Sequence, residues 1–255
     1  MSTNQYQLAL YSYTAYFSPT PSSSMLKESC TILMLADQRG VTQSPSYRSW
    51  HSFNYGTYRH PYREAPGALR VFNEDTLAGG ASMPHFAEHS ATVLILPLVG
   101  GIAFVHNNQT HYLDAGSILS VQVNAGMTYQ IGNPYVEDLV SYLHIVVSVP
   151  FVESMTIPQI RSFNLDAHPD SLQALCSVKC SKGQCLGKIG KFSGRTDASY
   201  MPQNPAHSCF VFVIEGAFEV QNRLLQRKDG LLLPEAGEVE FEALSDNGIL
   251  LVIEL

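Results

Sequence analysis

The sequence predicts an all-β protein made of two similar β-barrels, and three observations support this prediction. Short apolar segments alternate with Gly, Asn and Pro turns along most of the chain, which is typical of a β-sandwich or barrel. No long segment keeps the 3.6-residue period of a helix. The two halves also share an order of strands and turns, as Asp114–Gly126 and Asp229–Gly237 show. Such a repeat indicates one structural unit used twice.

The length and the charge composition of the chain exclude some classes of protein. The chain has 255 residues, of which 45% are apolar and 15% charged. This length allows two domains of ordinary size, and the low charge excludes intrinsic disorder. The net charge is −7 and no basic run occurs, so we expect no binding to nucleic acid.

The same survey predicts a cytoplasmic protein that is not bound to a membrane. The longest apolar run, Val93–Val105, is interrupted by Pro97 and two glycines and is too short to cross a bilayer. The first 26 residues contain no Lys or Arg, so the basic region of a secretory signal is missing. The five cysteines have no regular disulfide spacing, which favours reduced thiols in a reducing compartment.

We divide the chain into an N-terminal extension (1–28), an N-terminal barrel (29–150) and a C-terminal barrel with a linking segment (151–255). The extension alternates apolar and polar residues at Tyr6–Leu10, which predicts an edge strand. Such a strand can pair with a second copy of the chain, which would make the protein a homo-oligomer. The alternative is an extension that is only loosely attached to the barrels.

Most elements are predicted as short strands. In the first half these are Thr31–Leu35, Ala68–Phe72, Thr92–Leu98, Ile102–Val105, Ser117–Val123 and Leu139–Val149. In the second half they are Phe210–Ile214, Ala217–Val220, Leu231–Leu233, Val239–Ala243 and Ile249–Glu254. One short helix is predicted over residues 171–180, with Asp170 as its cap.

Two stretches resemble the second sequence motif of the cupins, G-x5-P-x-G-x2-H-x3-N. Gly126–Asn133 resembles the end of this motif, with Tyr129 at the position of the histidine. Gly230–Glu240 is a similar match in the second half, with Glu240 at that position. The resemblance implies a bicupin, in which one chain forms two jelly-roll barrels.

A narrower resemblance involves Ala36–Gly40, Trp50–Gly56 and Ala68–Asp75. These stretches are similar to the N-terminal region of pirin and of the bacterial pirin-type quercetin 2,3-dioxygenases. In that family an H-P-H stretch and an H-x-E pair, on two strands of the N-terminal barrel, hold one metal. Residues at i and i+2 of a strand point to the same face, so each pair enters the barrel. The resemblance implies iron, nickel or copper.

The chain departs from that ligand pattern. The H-x-E pair falls on Tyr129 and Ile131, which are both expected to face the barrel interior. Ile131 has no donor atom, and a phenol that titrates near pH 10 is a poor ligand. The H-P-H stretch falls on Met83-Pro84-His85 or, without a short insertion, on Phe86-Ala87-Glu88. The sequence leaves both alignments open.

Two hypotheses for function follow. The first is a small-ligand-binding or regulatory bicupin without redox catalysis and with no metal, because the family's ligand positions are changed. Its pocket residues are Tyr129, Ile131, His85 and Met83. The alternative is a quercetin 2,3-dioxygenase-type enzyme with iron, nickel or copper in a rearranged site. Its ligands are His85, Glu88, His89 and Tyr129.

Two other groups of residues are interpreted as structural. His144 lies within an apolar run and is predicted to be a core residue, with a position behind the metal ligands as the alternative. The C-terminal barrel offers only His207 and Glu240 near its expected site, so no metal is predicted there.

Overall fold

The structure is a computed structural model that describes residues 31–150, 157–180 and 183–255. The predicted N-terminal extension, and the oligomer expected to form through it, fall on residues outside these ranges. Within these ranges the chain is built from antiparallel strands, which confirms the all-β prediction. No helix in the described ranges is both long and apolar enough to cross a membrane.

Strands follow one another along the chain with short turns between them. In chain order they are β1 (Ile32–Met34), β2 (Gly40–Gln43), β3 (Tyr47–His51), β4 (Leu69–Leu77), β5 (Ser82–Phe86), β6 (Ala91–Val99), β7 (Ile102–His106), β8 (Gln109–Leu113), β9 (Ser117–Val123), β10 (Thr128–Gly132), β11 (Val140–Ser148), β12 (Gln159–Ser162), β13 (Gln173–Cys180), β14 (Gly183–Phe192), β15 (Asp197–Tyr200), β16 (Cys209–Glu215), β17 (Ala217–Val220), β18 (Arg223–Gln226), β19 (Gly230–Leu233), β20 (Val239–Ala243) and β21 (Gly248–Glu254). One 3-10 turn, Ala36–Gln38, lies between β1 and β2.

Each barrel is made of a large and a small sheet. The N-terminal barrel has a seven-stranded sheet, β12-β9-β6-β11-β4-β3-β2, and a four-stranded sheet, β5-β10-β7-β8. The C-terminal barrel has a six-stranded sheet, β1-β19-β16-β21-β14-β13, and a four-stranded sheet, β15-β20-β17-β18. Two strands cross between the barrels: β1 pairs with β19, and β12 pairs with β9. β1 precedes residue 150 but belongs to the sheet of the C-terminal barrel, and β12 follows residue 150 but belongs to the sheet of the N-terminal barrel. The domain boundary at residue 150 therefore remains a prediction.

The central strands of the seven-stranded sheet are buried on both faces. In β6, Val93 and Ile95 belong to the core of the N-terminal barrel, whereas Leu94 and Leu96 belong to a second core that also contains Phe210 of the C-terminal barrel. Because successive side chains point to opposite faces, a strand buried on both faces reads as a continuous apolar run. This geometry leaves the alternate positions of β4 and β11 facing the barrel interior.

The predicted helix over residues 171–180 is wrong, because Gln173–Cys180 forms strand β13. Its two buried apolar residues, Leu175 and Val178, are three positions apart, as on a helix face. A register shift between Ala174 and Cys176 inserts a bulge in the pairing with β14. A bulge adds one residue to the strand, so that residues three positions apart can point to the same face. The spacing of the buried residues in β13 therefore resembles that of a helix.

Candidate functional site

Polar side chains line the interior face of the seven-stranded sheet in the N-terminal barrel. The strands β3, β4 and β11 are neighbours, and their registers align two rows of residues across the sheet. One row is Ser49, Asp75 and Tyr142, and the other is His51, Asn73 and His144. All six side chains are buried, each 1% exposed or less. The sheet therefore presents a polar floor inside an otherwise apolar barrel.

The opposing four-stranded sheet carries the positions at which the family holds its metal. In the pairing of β5 with β10, Met83 lies opposite Ile131 and His85 opposite Tyr129. Tyr129 and Ile131 are both part of the barrel core, as the alternation of the strand predicts. This register favours the Met83-Pro84-His85 alignment, because it brings the two family ligand pairs side by side.

These four positions do not fit the metal centre of the family. They offer a thioether at Met83, one imidazole at His85, a phenol at Tyr129 and a hydrocarbon at Ile131. Iron, nickel and copper in such sites need imidazole and carboxylate donors. Burial is the main cause that raises the pKa of Tyr129 far above its ordinary value, and the charges of Tyr55 and Asp75 add to this rise. The phenolate form of Tyr129 is therefore disfavoured.

A different group of ligand-capable side chains meets across the barrel. One ligand atom from each of Asp75, His85 and His144 lies within 4.8 Å of the others. His85 comes from the small sheet, whereas Asp75 and His144 come from the large one. The two imidazole rings are 4.4 Å apart between centroids, at an angle of 62°. The described residues thus contain a group of the kind that can hold a metal ion.

Each member of this group has one buried atom without a hydrogen-bond partner. These atoms are Oδ2 of Asp75, Nε2 of His85 and Nδ1 of His144. Asp75 Oδ2 and His144 Nδ1 are 3.8 Å apart, which is too long for a hydrogen bond. The other ring nitrogen of His144, Nε2, lies 2.8 Å from the Tyr129 hydroxyl. Tyr129 therefore fixes the orientation of the ring whose Nδ1 remains free.

Burial sets the charge state of the three groups. It raises the pKa of Asp75 to about 7, and the hydrogen bond from Ser49 only partly opposes it. Burial also lowers the pKa of His85 to about 4. The pKa of His144 falls well below its ordinary value because of burial and, secondarily, because of His85. Both imidazoles are therefore neutral near pH 7, the form in which histidine binds metals.

A hydrogen-bonded chain holds the other oxygen of Asp75. Ser49 Oγ donates to Asp75 Oδ1 at 2.5 Å, and His51 Nδ1 lies 3.2 Å from Ser49 Oγ. The exposed Thr42 completes the chain, with its hydroxyl 2.8 Å from His51 Nε2. With the proton on Nδ1 of His51, all three bonds point toward the carboxylate. Oδ1 is thereby occupied, and Oδ2 is left without a hydrogen-bond partner, 3.8 Å from His144 Nδ1.

A cleft of about 460 Å³ leads from the surface to this floor. His85, Tyr129 and His144 line its inner end. Its walls are formed by apolar and aromatic side chains, and its mouth by charged ones. The wall residues include Tyr55, Ala87, Val93, Val123 and Val146, and the mouth includes Arg59, Arg70, Glu88 and His89. A volume in this range suits a small organic molecule.

Glu88 and His89, which the sequence offered as metal ligands, lie at the mouth of this cleft. Strand β5 ends at Phe86, and both residues follow it with exposed side chains. His85 is buried within the strand. The three residues line the same cleft, but only His85 belongs to the group that meets across the barrel.

The C-terminal barrel uses its histidine for structure. His207 Nδ1 lies 2.7 Å from Glu254 Oε1, and the Tyr200 hydroxyl donates to Glu254 Oε2. Glu240, in contrast, is an exposed residue of β20. The two candidates from the sequence therefore differ: His207 pairs with the buried carboxylate of Glu254, whereas Glu240 is exposed.

Sequence reasoning missed Asp75 and treated His144 as a core residue. His144 lies in an apolar run and resembled an isolated exception, whereas Asp75 lies in the polar stretch Asn73–Thr76 that follows the apolar part of its strand. The available signal was their spacing: Asn73 and Asp75 share one strand face, as do Tyr142 and His144. Two polar pairs of this kind on separate strands indicate a polar floor where those strands are adjacent, but the adjacency of β4 and β11 was not visible in the sequence.

Comparisons with known proteins agree with this architecture. The family of quercetinase C-terminal cupin domains matches residues 188–255. YhhW from Escherichia coli has a similar structure, with a TM-score of 0.77, 17% identity, and coverage of 89% of this chain and 97% of that chain. The chain has the bicupin fold of the pirins.

Two further structures extend the comparison of this pirin-like bicupin. The bacterial pirin YhhW in complex with nickel(II), from Escherichia coli, gives a TM-score of 0.74 at 18% identity, covering 89% of this chain and 99% of that chain. A quercetin 2,3-dioxygenase from Acinetobacter baumannii gives 0.63 at 16% identity, covering 87% and 85%. A search among curated protein sequences gave no match.

Proposed function

We propose that the N-terminal barrel of this pirin-like bicupin binds a small planar phenolic molecule in the cleft above His85, Tyr129 and His144. The observation that carries this proposal is the cleft itself, with apolar walls and a few polar groups at its inner end. Small-molecule sites are usually built in this way, since apolar walls supply affinity and a few polar groups fix orientation.

The chemistry of the cleft favours a phenol over an aliphatic ligand. Tyr129 and His85 stack with ring centroids 5.2 Å apart and 17° between their planes, and they present flat surfaces to a planar guest. Neutral imidazoles can accept a phenolic proton. Arg59 and Arg70 at the mouth attract a partly ionised guest. A flavonol, the substrate class named for the Acinetobacter structure, has these properties.

Binding is tested by titrating flavonols and hydroxybenzoates into chelator-treated full-length protein, with calorimetry as the readout. Val146 is partly buried and lines the cleft, so Val146→Phe fills the cleft, and we expect at least about tenfold weaker binding. Val99→Phe, at a residue 55% exposed outside the cleft, is the matched control. Equal affinity of both variants, or no binding by the parent protein, would refute the proposal.

A dioxygenase is the second candidate, and the group of Asp75, His85 and His144 is the observation that favours it. Two histidines and one carboxylate with free positions are typical of non-haem iron oxygenases. Aerobic loss of flavonol absorbance by metal-loaded protein distinguishes turnover from simple binding. Binding without turnover assigns the protein to the first class.

A further inference from the structure

We infer that this chain binds a single divalent transition-metal ion through Asp75, His85 and His144, at a position different from the two-strand ligand set of its family. Of the four family positions, only His85 contributes to this site. The other two ligands come from β4 and β11 of the large sheet. The inference does not depend on whether the cleft binds a phenol.

Oδ2 of Asp75, Nε2 of His85 and Nδ1 of His144 are buried and have no hydrogen-bond partner. An imidazole nitrogen is an acceptor when the ring proton lies on the other nitrogen. For His144 this places the proton on Nε2, which then donates to the Tyr129 hydroxyl. A buried polar atom without a hydrogen-bond partner destabilises the fold. One cation between them would satisfy all three atoms at once.

A proton cannot serve the same purpose. A protonated Asp75 could donate to only one neighbour, and its Oδ2 is 3.8 Å from His144 Nδ1, beyond hydrogen-bonding distance. That separation does suit a shared ion. Two ligand atoms that each lie ~2.1 Å from one ion are separated by no more than about 4.2 Å.

Asp75 is also without a paired positive charge. Its side chain is completely buried, and a paired cation is what favours the ionised form of a buried carboxylate. The neighbouring cations are already committed, because Arg39 and Lys228 pair with Glu74 at 3.1 and 2.5 Å. In the described part of the chain, Asp75 has no ion pair with an Arg or Lys, and its only ion-pair candidate within 4.0 Å is Nδ1 of His144, one of the proposed ligands.

The surroundings also orient the three side chains as metal sites require. Ser49 holds Oδ1 of Asp75, and Tyr129 holds Nε2 of His144. Outer partners of this kind fix ligand orientation and the tautomer of the histidine. The cleft gives an ion and a further ligand access from solvent, because His85 and His144 line its inner end. Two imidazoles and one carboxylate suit Fe²⁺, and Co²⁺ is a spectroscopic probe for such a site.

The test is titration of chelator-treated full-length protein with Co²⁺, followed by visible absorption and by metal counting after gel filtration. We expect one equivalent to bind. Asp75→Asn keeps the shape of the side chain and an acceptor for Ser49, so it should fold and bind Co²⁺ at least about tenfold more weakly. His144→Gln should show the same loss, and circular dichroism confirms that each variant is folded.

The matched control is the double variant Glu88→Gln/His89→Ala, which removes the ligands that the sequence alone proposed at the cleft mouth. Its Co²⁺ affinity should stay within about twofold of the parent. The inference is wrong if the parent binds no Co²⁺, if Asp75→Asn binds it as tightly as the parent, or if the control loses binding. A failure of flavonol binding would leave these readouts unchanged.

Discussion

Glu254 and Asp75 are both completely buried carboxylates, but their hydrogen bonding differs. Glu254 accepts hydrogen bonds from the Tyr200 hydroxyl and the Gln203 amide, and His207 lies against Oε1. Asp75 has Ser49 on one oxygen and no partner on the other. Buried polar groups in proteins are normally satisfied. The contrast therefore separates a carboxylate whose two oxygens both have partners, in one barrel, from a carboxylate with a free oxygen in the other.

The first prediction concerns the pH dependence that Glu254 confers. Burial alone would raise its pKa, but the hydrogen bonds outweigh burial and hold the pKa below the ordinary 4.5. A depressed carboxyl pKa stabilises the fold above pH 4.5, and this contribution is lost as the pH falls through the lower, folded-state pKa. Glu254→Gln should thus lower the unfolding free energy by about 1–3 kcal/mol at pH 7.

Urea unfolding at pH 7 and at acidic pH measures this effect. The difference between Glu254→Gln and the parent should shrink on acidification below pH 4.5. Glu137→Gln, at an exposed glutamate, should match the parent throughout. A deficit in Glu254→Gln that is independent of pH would contradict the account.

The second prediction concerns Tyr129, which positions His144. Tyr129→Phe removes only the hydroxyl that lies 2.8 Å from His144 Nε2. We expect Co²⁺ to bind with about 10–100-fold lower affinity, the usual cost of losing an outer partner, while the parent stoichiometry is kept. Tyr112→Phe, at an exposed tyrosine of β8, is the control. An unchanged affinity in Tyr129→Phe would show that this hydroxyl has no positioning role.

Among single residues, the sequence predicted those that follow a family motif and missed those that do not. It placed Tyr129 and Ile131 inside the barrel because they share one strand face, and both are core residues. Asp75 and His144 are far apart in the sequence and become neighbours only through the pairing of β4 with β11. Contacts between strands distant in sequence depend on sheet order, which local patterns do not contain.

At the scale of elements, strand identity was predictable where burial alternates or is continuous. The predicted strand Ala68–Phe72 in fact extends to Leu77. The predicted strand stopped at Phe72 because the residues that follow, Asn73–Asp75, are polar. These side chains are buried because Glu74 pairs with Arg39 and Lys228 and Asp75 joins the polar floor. The helix expected at residues 171–180 was wrong because a bulge in β13 altered the spacing of its buried residues.

The third prediction concerns the packing of β14. A Cβ added at Gly190 would lie 2.6 Å from the Ser171 carbonyl oxygen and 2.7 Å from the Phe192 ring. Since the carbonyl is backbone, the clash cannot be relieved by side-chain rotation. Gly190→Ala should lower the unfolding free energy by about 1–3 kcal/mol.

Thermal unfolding provides the measurement for this prediction, with Gly132→Ala as the control. Gly132 also lies within a strand, but its added Cβ meets nothing closer than 3.6 Å. Its unfolding temperature should stay near that of the parent. If both alanine variants have the same stability, Gly190 does not pack against the Ser171 carbonyl as closely as described, and the prediction is contradicted.

At the scale of the whole molecule, one of the hydrophobic cores is formed by residues of both barrels. The Phe72 ring from the N-terminal barrel lies 4.9 Å from the Phe210 ring and 4.8 Å from the Phe212 ring of the C-terminal barrel. The ion pair of Glu74 with Lys228 also joins the barrels. Together with the exchanged strands β1 and β12, these contacts imply that the barrels unfold as one unit.

The fourth prediction tests this cooperativity. Phe72→Ala should lower the unfolding free energy by about 3–5 kcal/mol and shift a single transition. Fluorescence of Trp50, the single tryptophan, reports on the N-terminal barrel, and far-UV circular dichroism reports on both. The two probes should give one midpoint in each variant, whereas separate midpoints would show that the barrels are independent. Phe86→Ala, at a residue 62% exposed, is the control.

The bicupin architecture was predictable from the sequence, because strand spacing and the internal repeat are properties of each half. The exchange of β1 and β12 between the barrels was not, since neither segment differs from an ordinary edge strand. The position of the site was predicted only to the level of the N-terminal barrel. Its composition depended on which strands of the two sheets face each other.

The most direct test of the central claim is anomalous diffraction from crystals of the full chain soaked with Ni²⁺. The claim is that the polar floor of the N-terminal barrel, and not the family positions alone or the cleft mouth, is the binding centre. The account predicts one strong peak within bonding distance of Asp75, His85 and His144. A barrel without a peak, or a peak held by Glu88 and His89, would contradict it.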